Sequence, residues 1–243
     1  MKIRIRFAKT GAMRYVGHLD TMHYFQKAFR RTGLKLSFSQ GFSPHMLLTF
    51  ASPLSIGMTT EGDYLDIVLC GEQDPKEVLT LLNAQLCEGF KALDAVRLRE
   101  EAKTPMALLR AAEYLVTAPS KDSAAADQVF NEAQALMNEE HVPVLKKTKK
   151  GERKEDIRPL IYELNQTEGP DGIPALHIIC ASGSIEHLKP ELILQVLAER
   201  AGILKEPLWH FHRQELFGVD PRILKPGDPL KDHKLESFMK LDN

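Results

Sequence analysis

Lys2–Phe38, KIRIRFAKTGAMRYVGHLDTMHYFQKAFRRTGLKLSF, changes its hydrophobic period twice. From Lys2 to Phe7 it alternates: Ile3, Ile5 and Phe7 point one way, Lys2, Arg4 and Arg6 the other. Period two predicts a strand with one face on a core and a row of three cations opposite. From about Leu19 to Thr32 the period lengthens. Leu19, Met22, Phe25 and Phe29 form an apolar stripe at three- and four-residue spacing, which predicts a helix. Arg30 and Arg31 fall in its last turn and Gly33 follows as a natural terminator. Leu34, Leu36 and Phe38 then alternate again, so the stretch reads strand–helix–strand.

Working outward, His45–Ala51 extends or resumes that strand, and Tyr64–Leu69 is another. Asp74-Pro75 opens a second helix, with Asp74 as cap and Pro75 at its first position. Phe90–Leu98 closes a β-α-β-β-α-β order, the ferredoxin-like plan. The order recurs after Pro105: strand 111–118, helix 123–140, strands 142–145 and 157–164, strand 175–181, helix 189–201 and strand 208–217. The expected fold class is α+β, two tandem ferredoxin-like modules with antiparallel sheets. The modules span 1–100 and 106–217, and a polar tail spans 218–243.

The 243 residues are 43% hydrophobic and 27% charged, an ordinary globular mixture. No apolar run reaches the roughly 18 residues that span a bilayer. MKIRIRFAKT has no apolar signal core, so a cytoplasmic protein without membrane contact is expected. Cys70, Cys87 and Cys180 are distant and odd in number, which fits neither a disulfide framework nor a metal-binding spacing. The net charge of −1 hides an asymmetry: residues 1–50 carry nine cations and the single anion Asp20, +8 in all. Segregation of this kind points to a polyanion partner.

Four places carry special residues. GHLD holds His18 and Asp20, with His23 one turn on. Asp20 is favoured there as a helix cap, and His18, His23 or His45 suits acid–base work near neutrality. His18 and His23 are five residues apart and do not share a helix face, so no metal site is expected. FSQGFSPH offers Ser39, Gln40 and Ser43 as small donors and acceptors. Gly41 allows close backbone approach there, and Phe38 or Phe42 is available to stack on a base. A structured turn accounts for the same residues. With His18, Asp20 and His45 they make one candidate pocket. KKTKKGERK places Lys146, Lys147, Lys149, Lys150, Arg153 and Lys154 around a glycine turn, a cationic hairpin of the kind that reaches phosphates. WHFHR alternates as a strand, and His210 and His212 lack an apparent third metal ligand.

The segment YVGHLDTMHYFQKAFRRTGLKLSFSQGFSPHMLLTFASPLSIGMTTEGDYLDI closely resembles the start of the radical-SAM-linked proteins of bacteria, and the likeness extends over TKKGERKEDIRPLI. GHLD, FSQGFSPH and PLSIG are its most specific parts. The resemblance implies a separate radical S-adenosylmethionine enzyme as partner. That enzyme would carry the iron–sulfur cluster and S-adenosylmethionine, while this chain binds no cofactor. It assigns no catalytic residue. The leading expectation is an RNA-binding accessory protein, acting on tRNA or rRNA. Its phosphate contacts would be Lys2, Arg4, Arg6, Arg14, Arg30, Arg31 and the hairpin cations, with Phe42 beside them. Two alternatives stand: a metal-independent endoribonuclease with a histidine base and Arg14 or Tyr15 at the phosphate, and a protein-only scaffold for the radical enzyme.

Overall fold

A computed structural model describes residues 1–121, 123–148, 151–203, 208–219 and 235–241. In chain order the elements are β1 (Lys2–Lys9), α1 (His18–Arg31), β2 (Leu48–Phe50), β3 (Thr59–Val68), α2 (Pro75–Asn83), β4 (Phe90–Leu98) and α3 (Pro105–Leu108). There follow β5 (Leu109–Thr117), α4 (Ala124–Met137), β6 (Pro143–Thr148), β7 (Gly151–Asp156), β8 (Ile161–Glu168) and β9 (Pro174–Ala181). The chain continues with α5 (Pro190–Arg200), β10 (His210–Gly218) and β11 (Glu236–Ser237). The fold is mixed α+β with mostly antiparallel sheet. Two compact units result: Met1–Arg110 with Arg213–Asn243, and Ala111–His212. Arg213–Phe217, expected in the second module, is counted with the first unit.

In the first unit β1 pairs antiparallel with both β3 and β4, and β2 pairs antiparallel with β3. The strand order is β4-β1-β3, with β10 next to β3 and β11 on β10. Ile3, Ile5 and Phe7 form one core with Phe25 and Phe29 of α1, Leu65 and Ile67 of β3, and Val78 and Leu82 of α2. Asp74 caps α2 by accepting from the Lys76 N–H at 3.0 Å, with Pro75 behind it. The segment Leu34–Phe38 is not a full strand. It makes two isolated bridges, Leu36 to Leu69 and Phe38 to Met46, and the regular strand is Leu48–Phe50.

The opposite face of β1 corrects an expectation. Arg4 is fully buried, not part of an open cationic row. It lies directly opposite Asp66 in the β1–β3 register and donates to both carboxylate oxygens, at 2.9 and 3.0 Å. Its guanidinium sits 5.3 Å over the Phe238 ring and donates to the Phe238 and Leu241 carbonyls. Lys2 donates to the Ala102 carbonyl at 2.7 Å, and Arg6 to the Glu61 carbonyl at 2.8 Å. Sequence alternation shows which face a side chain takes. It does not show that residues 236–241, assigned to a polar tail, return to cover it.

In the second unit β9 lies between β5 and β8, all antiparallel, and α4 packs on α5 and β8. Ser123 caps α4 by accepting from the Ala126 N–H at 3.3 Å. β6 and β7 form a separate hairpin in which Lys146 pairs with Arg153 and Lys147 with Glu152 along the backbone. Lys149 and Lys150 lie outside the described residues, and the side chains of Lys146, Lys147 and Arg153 are likewise not described.

Candidate functional site

The first unit holds a cleft beside the start of α1. Phe7, Lys9, His18, Thr21, Phe50, Ser52, Leu54 and Asp63 line it. Its enclosed space is small, about 10 Å³. That is on the order of one water or one ligand oxygen.

The residues reach this place along β1 and across its register with β3. The β1–β3 register slips between Phe7 and Lys9, and the β1–β4 register between Arg6 and Phe7. The extra residue of each slip lies on the partner strand, so β1 keeps its alternation and Lys9 points to the core side with Ile3, Ile5 and Phe7, 2% exposed. Asp63 faces Phe7 across the strands, so it lies at the end of the apolar face, 4% exposed. His18 opens α1 and meets Phe50 edge-on at 5.7 Å. Thr21 donates to the Gly17 carbonyl at 3.0 Å.

Behind the cleft, Arg213 is 2% exposed, donates to the Asp63 carboxylate and reaches the Pro53 carbonyl at 3.2 Å. Lys9 donates to the Val16 carbonyl at 2.6 Å. Among the described residues no carboxylate forms an ion pair with Lys9, and no hydrogen bond holds the His18 ring. Burial pushes the Asp63 carboxyl up, against the pull of Arg213, Lys9 and His18. Burial pushes the Lys9 ammonium down, opposed by Asp63. His18 is also pushed down, first by burial and then by Arg213 and Lys9, so its imidazole is the neutral form near neutrality. The chemical result is a half-open site with an ammonium and a neutral imidazole whose donors and acceptors are not all taken.

Of the residues singled out from sequence, His18 alone lines this cleft. Asp20 is exposed in the first turn of α1, and the capping position is Gly17, with no side-chain cap. His23 is exposed on α1. Arg14 donates to the Tyr15 hydroxyl at 2.8 Å and lies 4.8 Å over that ring. Ser39 and His45 close their own loop. Ser39 Oγ lies 2.8 Å from His45 Nδ1 and accepts from the His45 N–H at 3.1 Å, while the Ser39 N–H donates to the His45 carbonyl at 2.8 Å. Gly41 takes φ +114°, a conformation suited to glycine, and Phe42 stands fully exposed at the tip. Gln40, Ser43 and Pro44 are exposed beside it. None of residues 39–45 lines the cleft around His18.

The nine cations of the first fifty residues divide into three sets, of which Lys2, Arg6 and Arg14 are half-buried. Arg4 and Lys9 are buried. Lys27, Arg30, Arg31 and Lys35 are exposed, with His23 a turn earlier, and no acidic residue occurs between Asp20 and Glu61. Arg31 also donates to the Gln85 carbonyl at 2.9 Å. The exposed cationic surface is therefore the outer face of α1 and its exit.

Lys9, Asp63 and Arg213 were missed from sequence. Two signals pointed to two of them: Asp63 within a strand, where aspartate is depleted, and Lys9 in phase with Ile3, Ile5 and Phe7, a cation on the core-facing side.

A family model described as "Uncharacterized protein conserved in bacteria (DUF2344)" matches residues 2–190. The chain belongs to this family. The matched residues include α1, both loops and every residue that lines the cleft, but not Arg213 behind it. No curated protein matches the sequence. Among solved structures the chain is similar to one described as "Crystal Structure of a Cbf5-Nop10-Gar1 Complex", at 10% identity and TM-score 0.45. It covers 88% of this chain but only 48% of that one, so the chain spans about half its length. A second, "Crystal structure of putative glycine cleavage system transcriptional repressor", has 10% identity and TM-score 0.20, over 87% of this chain and 97% of that one. Among the described residues no group of three or more His, Cys, Asp or Glu is placed to hold a metal. Nor is any described helix long and apolar enough to cross a membrane.

Proposed function

We propose that this family member is an RNA-binding accessory protein that works with a separately encoded radical S-adenosylmethionine enzyme, in modification of tRNA or rRNA. One observation carries the RNA part: the exposed row His23, Lys27, Arg30, Arg31 and Lys35, in a stretch without an acidic residue from Thr21 to Thr60. Phosphates are read by exposed cations, and Phe42 adds a free aromatic face for a base. The partner, and the cluster and cofactor on it, rest on the resemblance of GHLD, FSQGFSPH and PLSIG to radical-SAM-linked proteins. We read the first unit as a ferredoxin-like module, since β1-α1-β2-β3-α2-β4 with β1 and β2 both on β3 follows that plan. The order β-α-β-β-α-β, with a hairpin inserted, supports the same reading of the second.

Titration of the protein with bulk tRNA tests it. Binding at low salt that weakens in a Lys27→Gln/Arg30→Gln/Arg31→Gln variant is expected; no binding at low salt overturns it. Copurification with the radical enzyme but no RNA affinity would instead favour a scaffold.

A second reading has one specific support. A neutral His18 beside the buried Lys9 is suited to act as general base in metal-independent RNA cleavage. Labelled RNA incubated with EDTA decides it: cleavage by the wild type and not by His18→Ala is the expected result on this reading, and intact RNA in both refutes it.

A further inference from the structure

We propose that the 39–45 loop reads one unpaired nucleotide of the RNA: Phe42 stacks on its base, and the His45 Nε2–H donates to its phosphate. The inference deepens the RNA-binding reading and rests on it. The loop is closed at its base. The Leu47 N–H donates to the Ser37 carbonyl at 3.0 Å, and Phe38 bridges to Met46. The Ser39 N–H then donates to the His45 carbonyl at 2.8 Å, and Ser39 Oγ accepts from the His45 N–H at 3.1 Å. Residues 40–44 stand beyond this closure, with Gly41 at φ +114° and Pro44 restricting their path. A loop ordered in advance loses little freedom when a ligand binds.

The same bonds set the His45 tautomer. Ser39 Oγ has one hydrogen, and among the described residues its acceptor is His45 Nδ1, 2.8 Å away. A neutral imidazole that accepts at Nδ1 carries its hydrogen on Nε2. His45 is exposed, and Nε2 lies on the side of the ring away from Nδ1 and Ser39. Ser39 is thus a positioning residue for an open donor. Phe42, fully exposed, offers its ring three residues earlier. Three residues span at most about 11 Å, which keeps both side chains within the reach of one nucleotide. Charge decides the ligand. Residues 21–60 hold no aspartate or glutamate, and the exposed Lys35 opens the arm that carries the loop. An apolar protein pocket would take Phe42 and gain nothing from these cations, whereas an RNA strand uses both. Bases inside a duplex are already stacked, so Phe42 is open only to an unpaired one.

The test compares a labelled short oligouridylate with an RNA duplex of the same length by fluorescence anisotropy at low salt. Phe42→Ala is expected to weaken the oligouridylate about tenfold, the loss of one base stack, and the duplex far less. Phe42→Trp should retain the affinity. His45→Ala should weaken the oligouridylate about threefold or more, the loss of one hydrogen bond. Nitrogen-15 NMR of the His45 ring reads the tautomer. Nε2–H is expected in the wild type, a mixture with weaker oligouridylate binding in Ser39→Ala, and recovery of both in Ser39→Thr. Equal affinity of Phe42→Ala and wild type for the oligouridylate, or equal losses on the two probes, overturns the inference and leaves the RNA reading standing. An Nδ1–H tautomer in the wild type overturns the roles of Ser39 and His45. No wild-type binding to either probe overturns the RNA reading, and the role of the loop with it.

Discussion

Arg4→Met leaves Asp66 buried without its cation. Breaking a buried pair on one side costs about 3–5 kcal/mol, so a large drop in the urea midpoint is expected. Arg4→Met with Asp66→Leu should recover most of it, because the uncompensated charge is gone. If Arg4 were instead a phosphate contact, the single variant would lower RNA affinity and leave stability unchanged. His18 gives a pH signature. Its folded pKa is pushed down, so below the unfolded value of about 6.5 the unfolded chain takes the proton first and stability falls with pH. His18→Gln should remove part of that acid sensitivity. His177 has the opposite sign. The Glu113 carboxylate, 2.7 Å away, raises it, so its contribution is complete below about 6.5 and is lost as pH rises through the folded value. His177→Gln should therefore cost more stability at pH 5.5 than at pH 8 in denaturant titrations. Residue identity marked His18 in the sequence, because glycine, histidine and aspartate together at a helix start are conspicuous. Its neighbours were hidden. Lys9 continues the core-facing phase beyond the apolar run, Asp63 comes from another strand, and Arg213 lies 150 residues beyond its carboxylate partner.

Among the elements, β3 and β10 approach closely at Gly62, where an added Cβ would overlap the Gln214 carbonyl. Gly62→Ala must push β10 away from β3, and with it Arg213 from Asp63. A loss of about 1–3 kcal/mol in thermal or denaturant unfolding is expected, the range for forced overpacking. Wild-type stability in this variant would refute the close approach. The regular elements were legible from period alone. α1 runs His18–Arg31 against an expected 19–32, and β4 matches its expected span. Leu34–Phe38 was less legible. Its alternation is real, but its pairing is limited to single bridges, and pairing is a property of the neighbouring strand rather than of the segment.

At the scale of the whole molecule, composition pointed to a polyanion through the +8 of residues 1–50, and the structure relocates that charge. Arg4 and Lys9 are consumed internally, Lys2, Arg6 and Arg14 are half-buried, and α1 and its exit carry the fully exposed cations. A local pattern could not show this, because the groups that bury Arg4 are Phe238 and Leu241, more than 230 residues away. The direct measurement is binding of labelled bulk tRNA across roughly 50–200 mM salt, for the wild type and for Lys27→Gln/Arg30→Gln/Arg31→Gln. The expected result is affinity that falls steeply with salt in the wild type. In the variant the log–log slope should be shallower by about 2, as for three lost phosphate contacts. Equal affinity and slope in the two proteins, or no binding by the wild type at about 50 mM, would contradict RNA recognition by this face.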